Sequence, residues 1–122
     1  MQTILIVEDN PSHMALAAAL LGKFGYAVLK AGDAEEGIRL VRERHPALVL
    51  MDINLPGMDG LTATRQIKDD PATQDIPIIV QTSFVSEYPE REIRAAGAAG
   101  FIAKPFHYKE LLEAVKAALT PQ

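Results

Sequence analysis

Five short, largely aliphatic runs recur along the chain: Ile4 to Val7, Ala27 to Lys30, Leu48 to Met51, Ile76 to Val80 and Gly100 to Ala103. Each is followed by residues spaced for a helix. The runs are too apolar to alternate between a dry face and a wet one, so they need cover on both faces, as strands of a parallel sheet between two layers of helices have. Regular alternation of strand and helix supplies that cover. The pattern predicts an α/β fold, a doubly wound parallel sheet of five strands with five helices.

Punctuation residues place the helices. Asn10-Pro11 joins a capping side chain to a proline at the first helical position; Leu16, Ala19, Leu20 and Phe24 are expected on the buried face, and Gly25 ends the element. Asp33 caps a second helix striped by Ala34, Ile38 and Val41 and stopped by His45-Pro46. Asp59-Gly60 opens a third, with Leu61, Thr64, Ile67 and Lys68 along it, closed by Asp70-Pro71. A fourth runs from about Pro89 to Ala96 before Gly97, and a fifth from about Tyr108 to Leu119 with Leu111, Leu112, Val115 and Leu119 inward.

A chain of 122 residues with 48% hydrophobic content can bury one real core, so a single domain over residues 1–122 with no separate output domain is expected. It has no cysteine, which excludes disulfides and thiolate metal sites and suits a cytoplasmic location. The first apolar run lacks a basic flank and is stopped by Glu8-Asp9, so it reads as a strand, and no membrane insertion is expected. Net charge is −4 without a run of Lys or Arg, which leaves no electrostatic footprint for direct nucleic-acid binding.

The polar residues at the run ends carry the chemistry. Glu8 and Asp9 follow the first run, Asp52 the third, Thr82 and Ser83 the fourth and Lys104 the fifth, while the second offers only Ala31-Gly32, as a strand at a sheet edge would. In open parallel sheets ligands bind outside the carboxyl ends of the strands. Carboxylates within about 5 Å repel by roughly 3 kcal/mol per pair at an effective dielectric near 20, so three acids gathered there require a cation. Oxygen ligands without thiols or paired histidines suit a hard ion, and Mg2+ better than a dedicated Ca2+ loop, with Asp9 and Asp52 as direct ligands. A carboxylate can also attack phosphorus to give an acyl phosphate, and Asp52 is the central candidate. Lys104 can pair with that carboxylate before transfer and with a phosphoryl oxygen after it, and the Thr82 hydroxyl can hydrogen-bond the phosphoryl group.

Four segments in register resemble the receiver domain of bacterial two-component response regulators: Ile4-Leu5-Ile6-Val7-Glu8-Asp9-Asn10, Leu50 through Asp52 to Gly60, Ile76-Pro77-Ile78 leading to Thr82-Ser83, and Gly97 through Lys104-Pro105-Phe106. The resemblance covers nearly the whole chain. It implies a flavodoxin-like sheet in the order 2-1-3-4-5, which is the family's own order and comes with the resemblance. It further implies that Asp52 accepts a phosphoryl group from a sensor histidine kinase or histidine phosphotransfer protein. Glu8, Asp9, Asp52 and the backbone carbonyl of Asn54 would hold Mg2+, Glu8 through water. Thr82 would move toward the phosphoryl group, Phe101 would swing inward, Lys104-Pro105 would carry a cis peptide bond, and the surface of helix four, strand five and helix five would change its preference for a downstream protein. Such a domain is not an enzyme with a free substrate; it catalyses its own phosphoryl transfer and dephosphorylation.

Ser83 stands where the family often has alanine, and Phe101 where tyrosine is also common. Two other readings of the same residues are a small phosphohydrolase with an aspartate nucleophile and a receiver-like module that docks without phosphate. The first usually has a second acid two residues past a nucleophile on the first strand, whereas here that residue is Asn54 and Asp52 is on the third; the second usually lacks an acid or the lysine. His13, His45 and His107 have no ligand spacing and are read as surface or capping residues.

Overall fold

Each aliphatic run forms a strand of one sheet. The computed structural model describes residues 2–82, 89–104 and 107–120. The order of elements is β1 (Thr3–Val7), α1 (Pro11–Lys23), β2 (Ala27–Ala31), α2 (Ala34–Arg44), β3 (Leu48–Asp52), α3 (Gly60–Asp69), β4 (Ile78–Thr82), α4 (Glu90–Ala95), β5 (Gly100–Ala103) and α5 (Tyr108–Leu119). All neighbouring strands are parallel, in the order β2-β1-β3-β4-β5. The expected fold class is therefore the observed one.

Successive strand residues feed opposite layers. Ile4, Ile6, Leu48, Leu50, Ile79 and Ile102 pack with α1 and α5, whereas Leu5, Val7, Val49, Met51, Ile78 and Val80 pack with α2, α3 and α4. Burial of each large aliphatic side chain contributes about 1.5–3 kcal/mol, so the three central strands form a rigid slab. Continuing the same alternation past the apolar residues brings Glu8, Asp52, Gln81 and Lys104 onto the α1/α5 side of the carboxyl rim.

The caps follow the sequence reading. Asn10 Oδ1 accepts from the N–H groups of Ser12 and His13 at 2.9 and 3.2 Å, Asp33 Oδ1 from Glu36 N at 2.8 Å, and Asp59 Oδ1 from Thr62 N at 2.8 Å. His45 ends α2 in the left-handed region at φ 45°. No described helix is long and apolar enough to cross a membrane.

Two expectations need correction. The fourth strand runs Ile78–Thr82, two residues later than expected. Ile76 is buried, but its N–H is given to the Thr73 carbonyl and its own carbonyl accepts from Lys68 Nζ at 2.6 Å, so its ladder groups are already used. Pro77 then has no N–H to contribute. The buried face of α1 is also different: Ala17 and Leu21 are enclosed and Leu20 is half-buried, while Ala19 is exposed and Leu16 and Phe24 are 57% and 46% exposed. Its sequence, PSHMALAAALLGK, is apolar nearly all round, so spacing alone selects no stripe.

Gly60 fixes how closely α3 approaches β3. A Cβ there would stand 2.1 Å from the Asp52 carbonyl oxygen and 2.8 Å from its carbon, both backbone atoms. Gly60→Ala is expected to cost about 3 kcal/mol or more, because neither partner can move without displacing the strand end. Urea unfolding measures this, and a variant within about 0.5 kcal/mol of the parent would contradict the packing.

Candidate functional site

At the carboxyl rim the register aligns Val7 with Met51 and Asp52 with Gln81, so β1 and β3 end side by side and deliver Glu8, Asp9 and Asp52 to one place. One carboxylate oxygen from each of these three lies within 4.8 Å of the others, with Glu8 and Asp52 buried and Asp9 exposed. Asp52 Oδ1 accepts from the Asn54 N–H at 3.0 Å, and Glu8 Oε2 from the Asn10 N–H at 3.2 Å. These backbone donors fix the carboxylates from the loop side.

Lys104 reaches them from β5 across the end of β4. Its Nζ donates to Glu8 Oε1 at 2.6 Å and to Asp52 Oδ2 at 3.2 Å, and its side chain is 16% exposed. One ammonium thus serves two desolvated acids. The imbalance shows at Glu8, whose carboxyl is pushed above its ordinary range by burial, against the hydrogen bond from Lys104 and with Asp52 adding to the rise.

Thr82 closes β4, buried and on the α2–α4 side, and its carbonyl accepts from the Lys104 N–H at 2.7 Å. Phe101, half-buried, packs on that same side, and the Arg94 guanidinium stands 5.7 Å from its ring centroid. Ser83 and Pro105, expected at the phosphoryl site and at a cis peptide, lie outside the described residues.

One neighbour was not anticipated. His13 Nδ1 is 3.4 Å from Lys104 Nζ and 3.8 Å from Glu8 Oε1. The signal was its place in the first turn of a helix that begins immediately after the β1 acids, which brings that turn back over the rim. His45 instead pairs with Asp75 at 3.6 Å at the other end of the sheet, and His107 precedes α5 without a side-chain cap.

An open parallel sheet with acids and one lysine gathered at its carboxyl rim defines a class of α/β domain built to manage negative charge at that rim. The chain belongs to the response regulator receiver domain family, which it matches over residues 4–116. It is a receiver of two-component signalling. Among its relatives, Protein PilH of Pseudomonas aeruginosa is 40% identical over 119 residues, covering 98% of both chains. The polar-differentiation response regulator DivK of Brucella ovis is 37% identical over 118 residues, covering 97% of this chain and 96% of that one. In three dimensions it is similar to the receiver domain of a Pseudomonas aeruginosa sensor histidine kinase, whose crystal structure has a magnesium ion coordinated in the active site cleft. The TM-score is 0.88 at 32% identity, over 97% of each chain.

The charge arrangement has two measurable consequences in metal-free buffer. Lys104→Met leaves two buried carboxylates without their cation and should lower stability by about 3 kcal/mol at neutral pH, with the loss shrinking in mild acid as Glu8 takes up a proton. Equal loss at both pH values in urea unfolding would contradict the shared-ammonium description. Because folding raises the pKa of Glu8, the folded state holds a proton that the unfolded chain has released. The parent protein should therefore lose stability as pH rises from the ordinary glutamate range through the raised value, and Glu8→Gln should flatten that slope.

Proposed function

We propose that Asp52 is the phosphoryl acceptor, in a Mg2+-dependent reaction with a phosphohistidine on a sensor kinase or phosphotransfer protein in the cytoplasm. The observation that carries this reading is the state of the Asp52 carboxylate. It is nearly water-free, held at both oxygens by Asn54 N–H and Lys104 Nζ, and flanked by Glu8 and Asp9 within 4.8 Å.

The donor set fits a hard divalent cation: carboxylate oxygens with no sulfur, a Glu8 carboxyl whose pKa burial raises, with Asp52 adding to the rise, and an exposed Asp9 open to water. Asp9, Asp52 and the Asn54 carbonyl would hold Mg2+ directly and Glu8 through water; the magnesium-bound Pseudomonas receiver domain supports the choice of ion. When bound, the ion neutralises the acids and the incoming phosphoryl oxygens.

The chain's own groups supply the rest. An Asp52 oxygen forms a bond to phosphorus as the phosphorus–nitrogen bond of the phosphohistidine breaks, and the departing electron pair stays on the imidazole, which takes a proton. Lys104 then exchanges its hydrogen bond to Asp52 for one to a phosphoryl oxygen. The domain thereby catalyses its own modification, and water later removes the group at the same site.

The added group brings about −1.5 to −2 charges to the rim, enough to move Thr82 toward it and to draw Phe101 inward. The output surface we assign is that of α4, β5 and α5, where Arg94, Phe101, Ala114 and Ala118 line a groove of about 430 Å³.

Incubation with acetyl phosphate and Mg2+, followed by intact mass, tests the assignment. One acid-stable, base-labile adduct is expected, abolished by Asp52→Asn; turnover of many phosphate esters would make the chain a hydrolase, and no adduct would make it a phosphate-independent docking module. Thr82→Ala should form the adduct yet lose most of the response at Phe101, read by NMR; an undiminished response would contradict the switch.

A further inference from the structure

Among the described residues three buried polar side chains, Thr64, Thr73 and Gln81, take no part in the reaction as described; the Thr64 and Thr73 hydroxyls donate to the Gly60 and Ile67 carbonyls, which leaves Gln81. It is 2% exposed, and its Nε2 is enclosed without a hydrogen-bond partner among the described residues. An enclosed amide donor with nothing to donate to is costly, and an aliphatic side chain would serve the core of a central strand better. Its position is specific. Gln81 is the register partner of Asp52 on one side and of Ile102 on the other, and it follows Ile79 on the α1/α5 face of the sheet, the face that carries Glu8, Asp52 and Lys104. Neighbouring strands stand about 4.8 Å apart, within the reach of a glutamine side chain. In the unmodified protein Asp52 Oδ1 accepts from the Asn54 N–H and Oδ2 from the Lys104 ammonium, and the Gln81 amide donates to neither.

We infer that Gln81 is a positioning residue for the phosphorylated state, holding in reserve the donor that replaces Lys104 on Asp52. The inference rests on Asp52 being the phosphoryl acceptor. When Lys104 turns to a phosphoryl oxygen, Asp52 loses its hydrogen bond from the ammonium, and the Gln81 amide takes up the vacated position on the acyl oxygen. In hydrolysis the oxygen of water bonds to phosphorus, the bond from phosphorus to the Asp52 oxygen breaks, its electron pair returns to the carboxylate, and the water proton passes to the phosphate product. A donor already at that carboxylate favours the departing charge. Gln81 therefore shortens the lifetime of the acyl phosphate.

The test uses the full chain, phosphorylated with acetyl phosphate and Mg2+ and then freed of donor, with adduct decay followed by intact mass in the parent, Gln81→Met and Gln81→Leu. Methionine preserves length and volume should leucine pack poorly. Decay should slow by about three- to tenfold in both, the range expected for one ordinary intramolecular hydrogen bond. The unmodified variants should melt at or above the parent temperature because the orphaned donor is gone. A second readout is the Gln81 side-chain NH2 resonance, which should shift when beryllofluoride is bound at Asp52. Decay at the parent rate together with an unmoved resonance would overturn this inference while leaving Asp52 as acceptor. Absence of any adduct in the parent would overturn both.

Discussion

Two nearly dry carboxylates sharing one ammonium set the terms for the rest of this molecule. Glu8, Asp52 and Lys104 stand at the ends of three different strands, and their contacts of 2.6 and 3.2 Å exist only because the sheet order leaves one strand between β5 and β3 and two between β5 and β1. A softer scaffold would let the acids separate or water enter. The aliphatic slab beneath them resists this, and Gly60 lets α3 sit directly on the end of β3. The core therefore serves the site by holding an electrostatically unfavourable arrangement that a surface loop would not keep.

That arrangement also suggests how a change at Asp52 can travel. Asp52 and Lys104 lie on the α1/α5 side of the rim, whereas Thr82 and Phe101 lie on the α2–α4 side. The two sides meet in the backbone at the end of β4 and β5, where the Lys104 N–H donates to the Thr82 carbonyl at 2.7 Å. In the switch we propose, an anion that pulls on the lysine also pulls on the strand end that carries the threonine, and Arg94 over the Phe101 ring lies on the surface assigned to output.

Much of this was legible in the sequence because the physics is local or periodic. Uniformly apolar runs demanded a two-sided sheet, Asn10, Asp33 and Asp59 announced helix starts that their side chains do cap, and acids at run ends were bound to converge once the strands were parallel. What escaped was decided by tertiary competition. Ile76 looks like a strand residue until Lys68 and Thr73 claim its backbone, and the face of α1 is undetermined in a helix apolar nearly all round. His13 and Gln81 are ordinary in sequence. Only the return of α1 over the rim and the register of β4 against β3 place one beside Lys104 and the other beside Asp52.

The proposed chemistry requires the rim acids Glu8, Asp9 and Asp52 to form one cation site. Crystals of the protein grown with Mn2+ and measured at the manganese absorption edge test it most directly, since the anomalous signal locates the ion without assumptions about function. A single strong peak is expected within bonding distance of the Asp9 and Asp52 carboxylates, with Lys104 still close to Asp52. A rim without a peak at saturating Mn2+, or a peak held by acids elsewhere on the surface, would contradict it.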